Sequence, residues 1–475
     1  MRRSSFFVGW IAILLCALAA CSAQQQKHVL SYAPGMSIEL SLPSAFDINI
    51  AATGLRRVRF FAQSPDGRIF ASAMHDISDN RNGSIFILEG WDAGTHTFAR
   101  TTHYLDHLRN PNSIAFWTDP ATGQSWIYVA LTEKLVRYKY SAGDSRPSSP
   151  PEELMRFPDY GLNYKYGGWH LTRTLALAPA RGKTQLFVSV GSSCNYCQER
   201  EVARASVVAM EPDGKNARMV AQGLRNAVDL HYVAQVDGGS LLATNMGDDH
   251  LGDRRPDDTF FKIDFSPQQA VNYGWPSCYF EEGKAVLDTT PLPSVTEMAK
   301  RGLTDKSKAP GADDSVYGKQ AKVAQAGTNL AAGGGHQFGP DPNAALGHPP
   351  DPLKACDKVP TPYAWFRAHS SPLGFAYFAD QDKELKDSFL VALHGASHPR
   401  IGTGYRVVRF TATDRTPVDF VTGFLTVVGS KPVVHGRPCG VLRMGPDSFL
   451  LSDDYLGVIY FVHPHEAAGN AVGTR

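Results

Sequence analysis

The stretch TRTLALAPARGKTQLFVSVG, residues 172–191, decides the fold. Two apolar segments flank a turn that contains Pro179 and Gly182, and the alternation of side chains in each segment is typical of a β-strand. A third apolar segment, ASVVAM, follows at residues 205–210. The unit is therefore predicted to be a meander of antiparallel strands joined by hairpin turns.

Five other stretches of the chain have the same outline. The first strands of the six units contain the apolar anchors Phe60, Ile114, Leu175, Leu230, Phe375 and Val441. Four of the five separations between anchors are slightly longer than the roughly 40–50 residues of a propeller blade. Because one such sheet cannot bury both of its faces alone, the units must stack around an axis. The sequence predicts an all-β protein, a six-bladed β-propeller over residues 41–466.

The composition agrees with this class and excludes others. The chain has 475 residues, 43 of them Gly and 31 Pro, and its formal net charge is only +1. A near-neutral balance gives no reason to expect a nucleic-acid partner. Turn-forming residues at this frequency are typical of an all-β globular protein.

One separation is much longer than a blade, and it holds an insertion at about residues 277–367, between predicted blades four and five. The insertion is polar and rich in Gly and Pro, which favours a partly ordered lid over one propeller face, with a short helix at SVTEMAKRG, residues 294–302.

Cys278 and Cys356 lie near the two ends of the insertion, so a disulfide between them would join its base. Cys194 and Cys197, in CNYC, are either a local disulfide or two buried thiols, and Cys439 is expected to be a buried free thiol.

The N-terminus is typical of a targeting segment. Residues 1–20 combine two Arg with a short apolar run, and Leu18-Ala19-Ala20-Cys21 resembles the bacterial lipobox. That resemblance implies cleavage before Cys21 and lipidation of its thiol; the alternative is an ordinary secretory signal cut after Ala23. We expect a periplasmic protein that contacts the outer membrane only through this lipid anchor, with a tether and N-terminal arm at residues 21–40 and a tail at residues 467–475.

Polar residues stand at the mouths of several predicted strands. In a propeller these mouths converge on one funnel, although they are far apart in sequence. The candidates are His170, Arg173, Arg225, Asn226, Arg400 and Arg437. Several guanidinium groups in one cavity are costly unless an anion fills it, and their planar geometry suits carboxylates. The acidic loop with Asp248, Asp249 and Asp253 indicates a hard cation such as Ca²⁺; alternatively, these Arg and Asp residues pair with one another on a loop-rich surface.

Several motifs resemble those of the PQQ-dependent sugar dehydrogenases. They are GLRNAVDL at residues 223–230, GDDHLGDRRPDD at 247–258, NYGWPSCY at 272–279, AHSSPLGFAYF at 368–378 and GRPCGVLRMGPDSFLLSDD at 436–454. The L-sorbosone dehydrogenase-like branch is the closer match, and soluble glucose dehydrogenase is a more distant relative. The resemblance implies a six-bladed propeller that binds pyrroloquinoline quinone (PQQ), a tricarboxylate, together with Ca²⁺.

The resemblance also implies roles for individual residues. His170 is similar to the family's general base, and Arg225, with Asn226 beside it, to the group that stabilises charge on the quinone. Arg437 resembles a carboxylate clamp, with Arg400 and Arg173 as weaker candidates for cofactor contacts. Backbone carbonyls at about Gly247 and Asp248 would hold Ca²⁺. One departure is Ser192, which stands where the soluble glucose dehydrogenases have an acid that orients the base.

Three functions remain open at this point. The first is a periplasmic dehydrogenase that oxidises an aldose sugar or related aldehyde and passes electrons to an external respiratory quinone or cytochrome. The second is a metal-dependent lactonase on the same architecture, which would need carboxylate ligands on the axis but no arginines. The third is a non-catalytic envelope propeller that binds glycans or proteins.

Overall fold

The protein is seen here in a computed structural model that describes residues 24–77, 79–158, 170–180, 182–293, 341–381 and 383–465. The predicted signal, Cys21, the predicted helix at 294–302 and the predicted tail at 467–475 lie outside these residues. The strands, in chain order, are β1 (Gln25–Ala33), β2 (Met36–Pro43), β3 (Phe46–Ala52), β4 (Val58–Gln63), β5 (Ile69–Ala73), β6 (Gly83–Asp92), β7 (Thr97–Leu108), β8 (Ser113–Thr118), β9 (Ser125–Ala130), β10 (Lys134–Tyr140), β11 (Glu152–Arg156), β12 (Arg173–Ala180), β13 (Lys183–Val190), β14 (Ser206–Met210), β15 (Arg218–Gln222), β16 (Ala227–Val233), β17 (Ser240–Asn245), β18 (Asp258–Ile263), β19 (Val271–Asn272), β20 (Cys278–Glu281), β21 (Lys284–Leu287), β22 (Ala364–Phe366), β23 (Pro372–Phe378), β24 (Ser388–Leu393), β25 (Arg406–Thr411), β26 (Val418–Val421), β27 (Leu425–Val428), β28 (Lys431–Val434), β29 (Pro438–Arg443), β30 (Phe449–Asp453) and β31 (Val458–Pro464). Two single-turn 3₁₀ helices, Ala344–Leu346 and Pro399–Ile401, complete the regular structure of these residues.

Six sheets form the blades of a β-propeller, as predicted; their strands pair antiparallel, apart from the short parallel pairing of β15 with β19 at the outer edge of blade three. Blades one to three begin with β4, β8 and β12, and blades four to six begin with β16, β23 and β29. All six predicted anchors lie in these first strands. Each first strand contacts the first strand of the next blade, and β29 contacts β4, so the six strands surround one axis.

The ring is closed by a strand from the beginning of the chain. Blade six consists of β29, β30 and β31 from the C-terminal region, and its outermost strand is β3. The pairing runs from Phe46 opposite Pro464 to Ala52 opposite Ile459. The first and last parts of the propeller are thereby held in one sheet.

Hydroxyl groups on second strands connect neighbouring blades near the axis. Each is buried and donates to a backbone carbonyl of the first strand, or its entry, in the next blade: Ser72 to Asn112 (2.5 Å), Ser189 to Ala227 (2.7 Å), Thr244 to Leu373 (2.9 Å) and Ser452 to Arg59 (2.6 Å). Because buried carbonyls need donors, these contacts stabilise the packing of one blade on the next.

The insertion belongs to blade four. The outermost strand of blade four, β22, pairs with β18. The insertion lies between these two strands in sequence, rather than after the complete blade. The described parts of the insertion include the hairpin β20–β21. Cys278, at the start of that hairpin, forms a disulfide with Cys356, the pair expected at the base of the insertion.

In the segment expected to be a tether and N-terminal arm, the residues from Gln25 onwards form a β-hairpin, because β1 pairs with β2 along its whole length. Leu40 and Leu42 of β2 are buried in the core of blades five and six. Among the described residues, no helix has the length and hydropathy needed to cross a membrane.

Candidate active site

The candidate site lies at one end of the axis, where first strands begin and second strands end; we call this end the upper face. His170 and Asn226 precede the first strands β12 and β16, and Ser192 and Met246 follow the second strands β13 and β17. The backbone of Ser192 donates to the Arg225 carbonyl (2.7 Å), and that of Met246 donates to the Asn226 carbonyl (3.1 Å). The loops of blades three and four are thus fixed to each other.

His170 is held through its Nδ1 atom. Nδ1 lies 2.9 Å from Ser192 Oγ and 3.0 Å from the Ser192 carbonyl oxygen. The Ser192 hydroxyl donates its own proton to the Cys194 carbonyl (2.6 Å), so it accepts from His170. Both contacts therefore require a proton on Nδ1, which leaves the lone pair of the neutral imidazole on Nε2.

The electrostatic surroundings keep this imidazole neutral. Burial is the largest cause that lowers the His170 pKa well below its usual value, and the nearby positive charge of Arg225 lowers it further. Asp249 opposes this shift. At neutral pH His170 is accordingly a base that can accept a proton.

Arg225 is buried and its guanidinium group is fully oriented. Nε and Nη2 donate to the backbone carbonyl (2.8 Å) and side-chain Oδ1 (2.7 Å) of Asn195, and Nη1 donates to the Gly247 carbonyl (2.6 Å). Asp249 Oδ2 lies 3.6 Å from Nη2. The residue thus holds a positive charge beside His170 without any freedom to rotate.

A cavity of about 210 Å³ opens beside His170. Its polar lining includes Arg59, His170 and Asn226, and its apolar lining includes Met74, Met246 and Leu373. Among the described residues, the buried Asn226 Oδ1 has no hydrogen-bond partner, while its Nδ2 donates to Met246 Sδ (3.4 Å). An unsatisfied buried acceptor is costly, so this atom indicates a place where a ligand donates a hydrogen bond.

Arg59, which the sequence analysis missed, is the guanidinium group of blade one in this cavity. Its Nε donates to Asn112 Oδ1 (3.1 Å) and its Nη1 to Asp454 Oδ2 (2.8 Å). Among the described residues Nη2 has no hydrogen-bond partner. Its position in the sequence could have indicated it, because Arg59 lies at the start of the first strand of its unit, as Arg225 lies just before the first strand of blade four.

Four predicted cofactor contacts do not line this cavity. Arg225 lines a separate small pocket with Gly247, and it acts on His170 through its charge. Arg173 is buried, and its guanidinium group donates to the carbonyls of His170 (2.8 Å) and Thr172 (2.9 Å). Arg400 is 71% exposed and lies 3.6 Å from Asp253. The expectation of one cavity shared by all the arginines is therefore wrong for Arg173 and Arg400. The donors of Arg173 are bound to backbone carbonyls at the start of its own strand, and the side chain of Arg400 is exposed to solvent.

Arg437 lies on the upper face but serves the loop after β24. It donates to the carbonyls of Gly395 (3.0 Å) and Ala396 (3.1 Å) and to the Tyr405 hydroxyl (2.9 Å). A clamp for a ligand carboxylate would need these same donors. The structure thus assigns Arg437 to the support of this loop, and Arg59 is the guanidinium that faces the cavity.

One of the two predicted calcium ligands, the Gly247 backbone carbonyl, already has a protein donor, and the side chain of Asp248 is paired as well. The Gly247 carbonyl accepts from Arg225, and Asp248 Oδ1 lies 2.6 Å from His250 Nδ1. His250 Nε2 lies 2.7 Å from Asp288 Oδ2, so the ring stands between two buried carboxylates that raise its pKa, against the effect of burial. With these contacts the Gly247 carbonyl and the Asp248 carboxylate do not fit Ca²⁺. The Asp248 backbone carbonyl stays a predicted ligand.

Within the described residues, one group of three possible metal ligands comes together: Cys194, Cys197 and Glu199. Cys194 and Cys197 are joined in a disulfide, so their sulfur atoms are not available as thiolates. Cys439 is a buried free thiol, and burial raises its pKa to about 12. The Cys194–Cys197 disulfide therefore rules out a preformed metal centre at CNYC.

The fold is shared with solved sugar dehydrogenases. One neighbour is the holo form of the pyranose dehydrogenase PQQ domain from Coprinopsis cinerea, at 16% identity and a TM-score of 0.57, with 90% of this chain and 97% of that chain covered. The chain shares the fold of a PQQ domain. Another neighbour is a calcium structure of a Trichoderma reesei enzyme of carbohydrate-active enzyme family AA12, at 15% identity and a TM-score of 0.56, covering 89% and 96%. No family model matches the sequence, and the search of curated proteins found no match.

The residues beside His170 fit PQQ. The cavity is lined by Arg59, whose positive charge suits a carboxylate, and by Asn226, whose buried amide would have to turn for Oδ1 to accept from a ring N–H. Gly191 completes the cradle: a Cβ there would stand 2.5 Å from Asn226 Oδ1 and 2.6 Å from His170 Cβ. The site residues therefore provide charge, a hydrogen-bond acceptor and space in one place.

Proposed function

We propose that this protein is a PQQ-dependent dehydrogenase that oxidises an aldose sugar or a related aldehyde or alcohol. The observation that supports this most directly is the cavity beside His170, which combines a neutral, oriented imidazole with the unsatisfied Asn226 Oδ1 and the Arg59 Nη2 group. The shared fold makes the proposal specific to PQQ rather than to another anion.

His170 and Arg225 have separate roles in the proposed reaction. His170 accepts the proton of the substrate hydroxyl at Nε2, because Nδ1–H is already donated to Ser192. A bound PQQ would supply an electrophilic quinone carbonyl as the acceptor for the hydride of the substrate carbon that carries this hydroxyl. Arg225, whose donors are bound to Asn195 and Gly247, contributes only its positive charge, which acts on His170 and favours negative charge that develops nearby. Two electrons then leave to an external respiratory quinone or cytochrome.

The location of the protein is part of the proposal. A chain lipidated at Cys21 would carry the propeller in the periplasm on the outer membrane. Two disulfides, Cys194–Cys197 and Cys278–Cys356, support an oxidising compartment. Mass spectrometry of the mature N-terminus tests this, since an unmodified Ala23-cleaved chain would contradict it.

The decisive experiment is reconstitution of the purified protein with PQQ, with and without Ca²⁺, followed by dye reduction with a panel of sugars. We expect quinone-dependent dye reduction. Lactone hydrolysis without added quinone would favour the lactonase instead, and absence of both activities and of quinone binding would favour a non-catalytic propeller. A requirement for Ca²⁺ would show that Gly247 and Asp248 rearrange when PQQ binds.

His170→Gln is the first variant to measure. Loss of the base should lower kcat by about 10²- to 10⁴-fold, while the quinone still quenches protein fluorescence with nearly the wild-type affinity. The matched control is His103→Gln, which alters an exposed imidazole on β7 and should leave both quantities unchanged. Loss of quinone affinity without loss of kcat in the loaded enzyme would contradict the role of His170 as base.

A further inference from the structure

The loop closed by the Cys194–Cys197 disulfide contacts both groups of the proposed chemistry. Asn195, between the two cysteines, accepts from Arg225 with two oxygens, its carbonyl (2.8 Å) and its side-chain Oδ1 (2.7 Å). The same Oδ1 accepts from the backbone N–H of Asp249 (2.9 Å), in the loop after β17. One side-chain oxygen thus connects blade three to two separate segments of blade four.

The other end of this loop fixes His170. The Cys194 carbonyl accepts the proton of the Ser192 hydroxyl, which in turn accepts from His170 Nδ1. The orientation of the imidazole and that of the Arg225 guanidinium therefore both depend on the backbone at residues 194–195.

The loop is rigid because it is closed covalently and buried. Both sulfur atoms belong to residues with 0% exposure. Just before the loop, the backbone N–H and hydroxyl of Ser193 donate to the Glu199 carboxylate (2.7 and 2.6 Å). Within it, the Tyr196 hydroxyl donates to the Thr290 carbonyl (2.7 Å). A short loop with these contacts has little freedom to move Asn195.

We propose that Asn195 is a positioning residue that aligns Arg225 with the loop after β17, and that the Cys194–Cys197 disulfide keeps Asn195 in place. Its consequence for catalysis rests on the proposed function. The alignment itself is independent of any cofactor, so the two ideas can fail separately.

Asn195→Leu tests the alignment with little change in volume. It removes Oδ1 and leaves one guanidinium N–H and the Asp249 N–H without an acceptor, so we expect quinone affinity and kcat/KM to fall by about 10- to 100-fold. Asn195→Asp is the conservative rescue, because it keeps Oδ1 and because the Asn195 Nδ2 donates to no described residue. It should retain quinone affinity within about threefold of the wild type. Asn82→Leu, at an exposed turn, controls for loss of an amide and should change neither quantity.

The pH profile separates alignment from simple packing. Burial is the largest cause that lowers the pKa of His170. The charges of Arg225 and Arg204 lower this pKa further, whereas the hydrogen bond with Ser192 and the charge of Asp249 raise it. A carboxylate at position 195 would offset the charge of Arg225, so the pKa of His170 should rise. Because His170 must be neutral to act as a base, the acidic limb of kcat/KM in Asn195→Asp should move to higher pH by several tenths of a unit. A carboxylate that does not contact the Arg225 guanidinium would move this limb much less, which would contradict the alignment.

A double-mutant cycle in the cofactor-free protein tests the alignment without any activity. Asn195→Leu should lower the urea midpoint of the wild-type protein clearly and that of an Arg225→Met variant much less, because the guanidinium that needs the acceptor is then absent. Equal shifts in both backgrounds would overturn the proposal. If the cycle shows coupling but the wild-type protein binds no quinone, the proposed function fails and the alignment stands.

The disulfide has its own test. In Cys194→Ala/Cys197→Ala, Asn195 should lose its fixed position, so quinone affinity should fall in the same direction as in Asn195→Leu. Cys278→Ala/Cys356→Ala, which removes the other disulfide, is the control and should lower stability with at most a small change in quinone affinity. If the first variant kept wild-type affinity and pH profile, the disulfide would have no positioning role.

Discussion

At the scale of single residues, burial decides what each arginine of the upper face does. Arg173 and Arg225 are both buried at the mouths of neighbouring first strands. Arg173 donates to nearby carbonyls of the loop that precedes β12. Arg225 donates to Asn195 of blade three and to Gly247. Only a donor left over after such contacts is available for a ligand, and Arg59 Nη2 is such a donor.

Arg59→Met should therefore weaken quinone binding. The lost charge-assisted hydrogen bond to a carboxylate predicts a loss of about 10- to 100-fold in affinity, measured by fluorescence titration. Asp454 keeps partners in Arg57 (3.2 Å) and His394 (2.8 Å), so the variant should still fold.

The control for this variant is Arg400→Met. It removes an equal charge from the upper face, but from an exposed side chain that lies against Asp253. We expect its quinone affinity to equal that of the wild type. Equal losses in both variants would mean that general electrostatic attraction, and not the Arg59 contact, determines affinity.

At the scale of elements, the ends of paired strands position the site. The exit of β13 at Gly191 lies against the entry of β12 at His170 and that of β16 at Asn226. The three segments approach so closely that position 191 has no room for a side chain. The regular strands thus supply the fixed frame, and the first residues beyond them supply the chemistry.

Gly191→Ala should displace either Asn226 or His170, because the new Cβ would stand 2.5 Å from Asn226 Oδ1 and 2.6 Å from His170 Cβ. We expect quinone affinity and kcat to fall together by at least tenfold, while the circular dichroism spectrum keeps its β-sheet form. Gly94→Ala is the matched control, since its Cβ would meet only the flexible Asp92 carboxylate at 3.3 Å. A fully active Gly191→Ala enzyme would argue against the cradle.

The strands could be predicted from sequence because alternation and turn residues act locally. His170 and Asn226 could also be placed on one face, since strand mouths converge in any propeller. The direction of a long side chain was not predictable in the same way. Arg437 stands at a strand mouth as expected, but its donors bind the carbonyls of Gly395 and Ala396, and those carbonyls come near it only once blades five and six have packed.

At the scale of the whole molecule, the propeller is a closed ring whose closure depends on β3. The segment FDINIAA lies before the first repeat, and nothing in the repeat pattern marks it as the outer strand of blade six. Pairing of β3 with β31 is non-local, so it is a property of the assembled ring and not of either segment alone. For the same reason the sequence did not reveal that β22 returns to blade four after the insertion.

Two truncations measure how much this closure contributes. A chain that begins at residue 44 loses the hairpin β1–β2, including buried Leu40 and Leu42, but keeps β3; it should fold with a lower thermal midpoint. A chain that begins at residue 53 also loses β3. It therefore lacks the buried Phe46 and Ile48, and the backbone edge of β31 is exposed. We expect this second chain to aggregate or unfold, as measured by gel filtration and circular dichroism, because an open ring leaves blade six with an unpaired hydrophobic edge. Equal midpoints for the two chains would show that the contacts between first strands around the axis close the ring without β3.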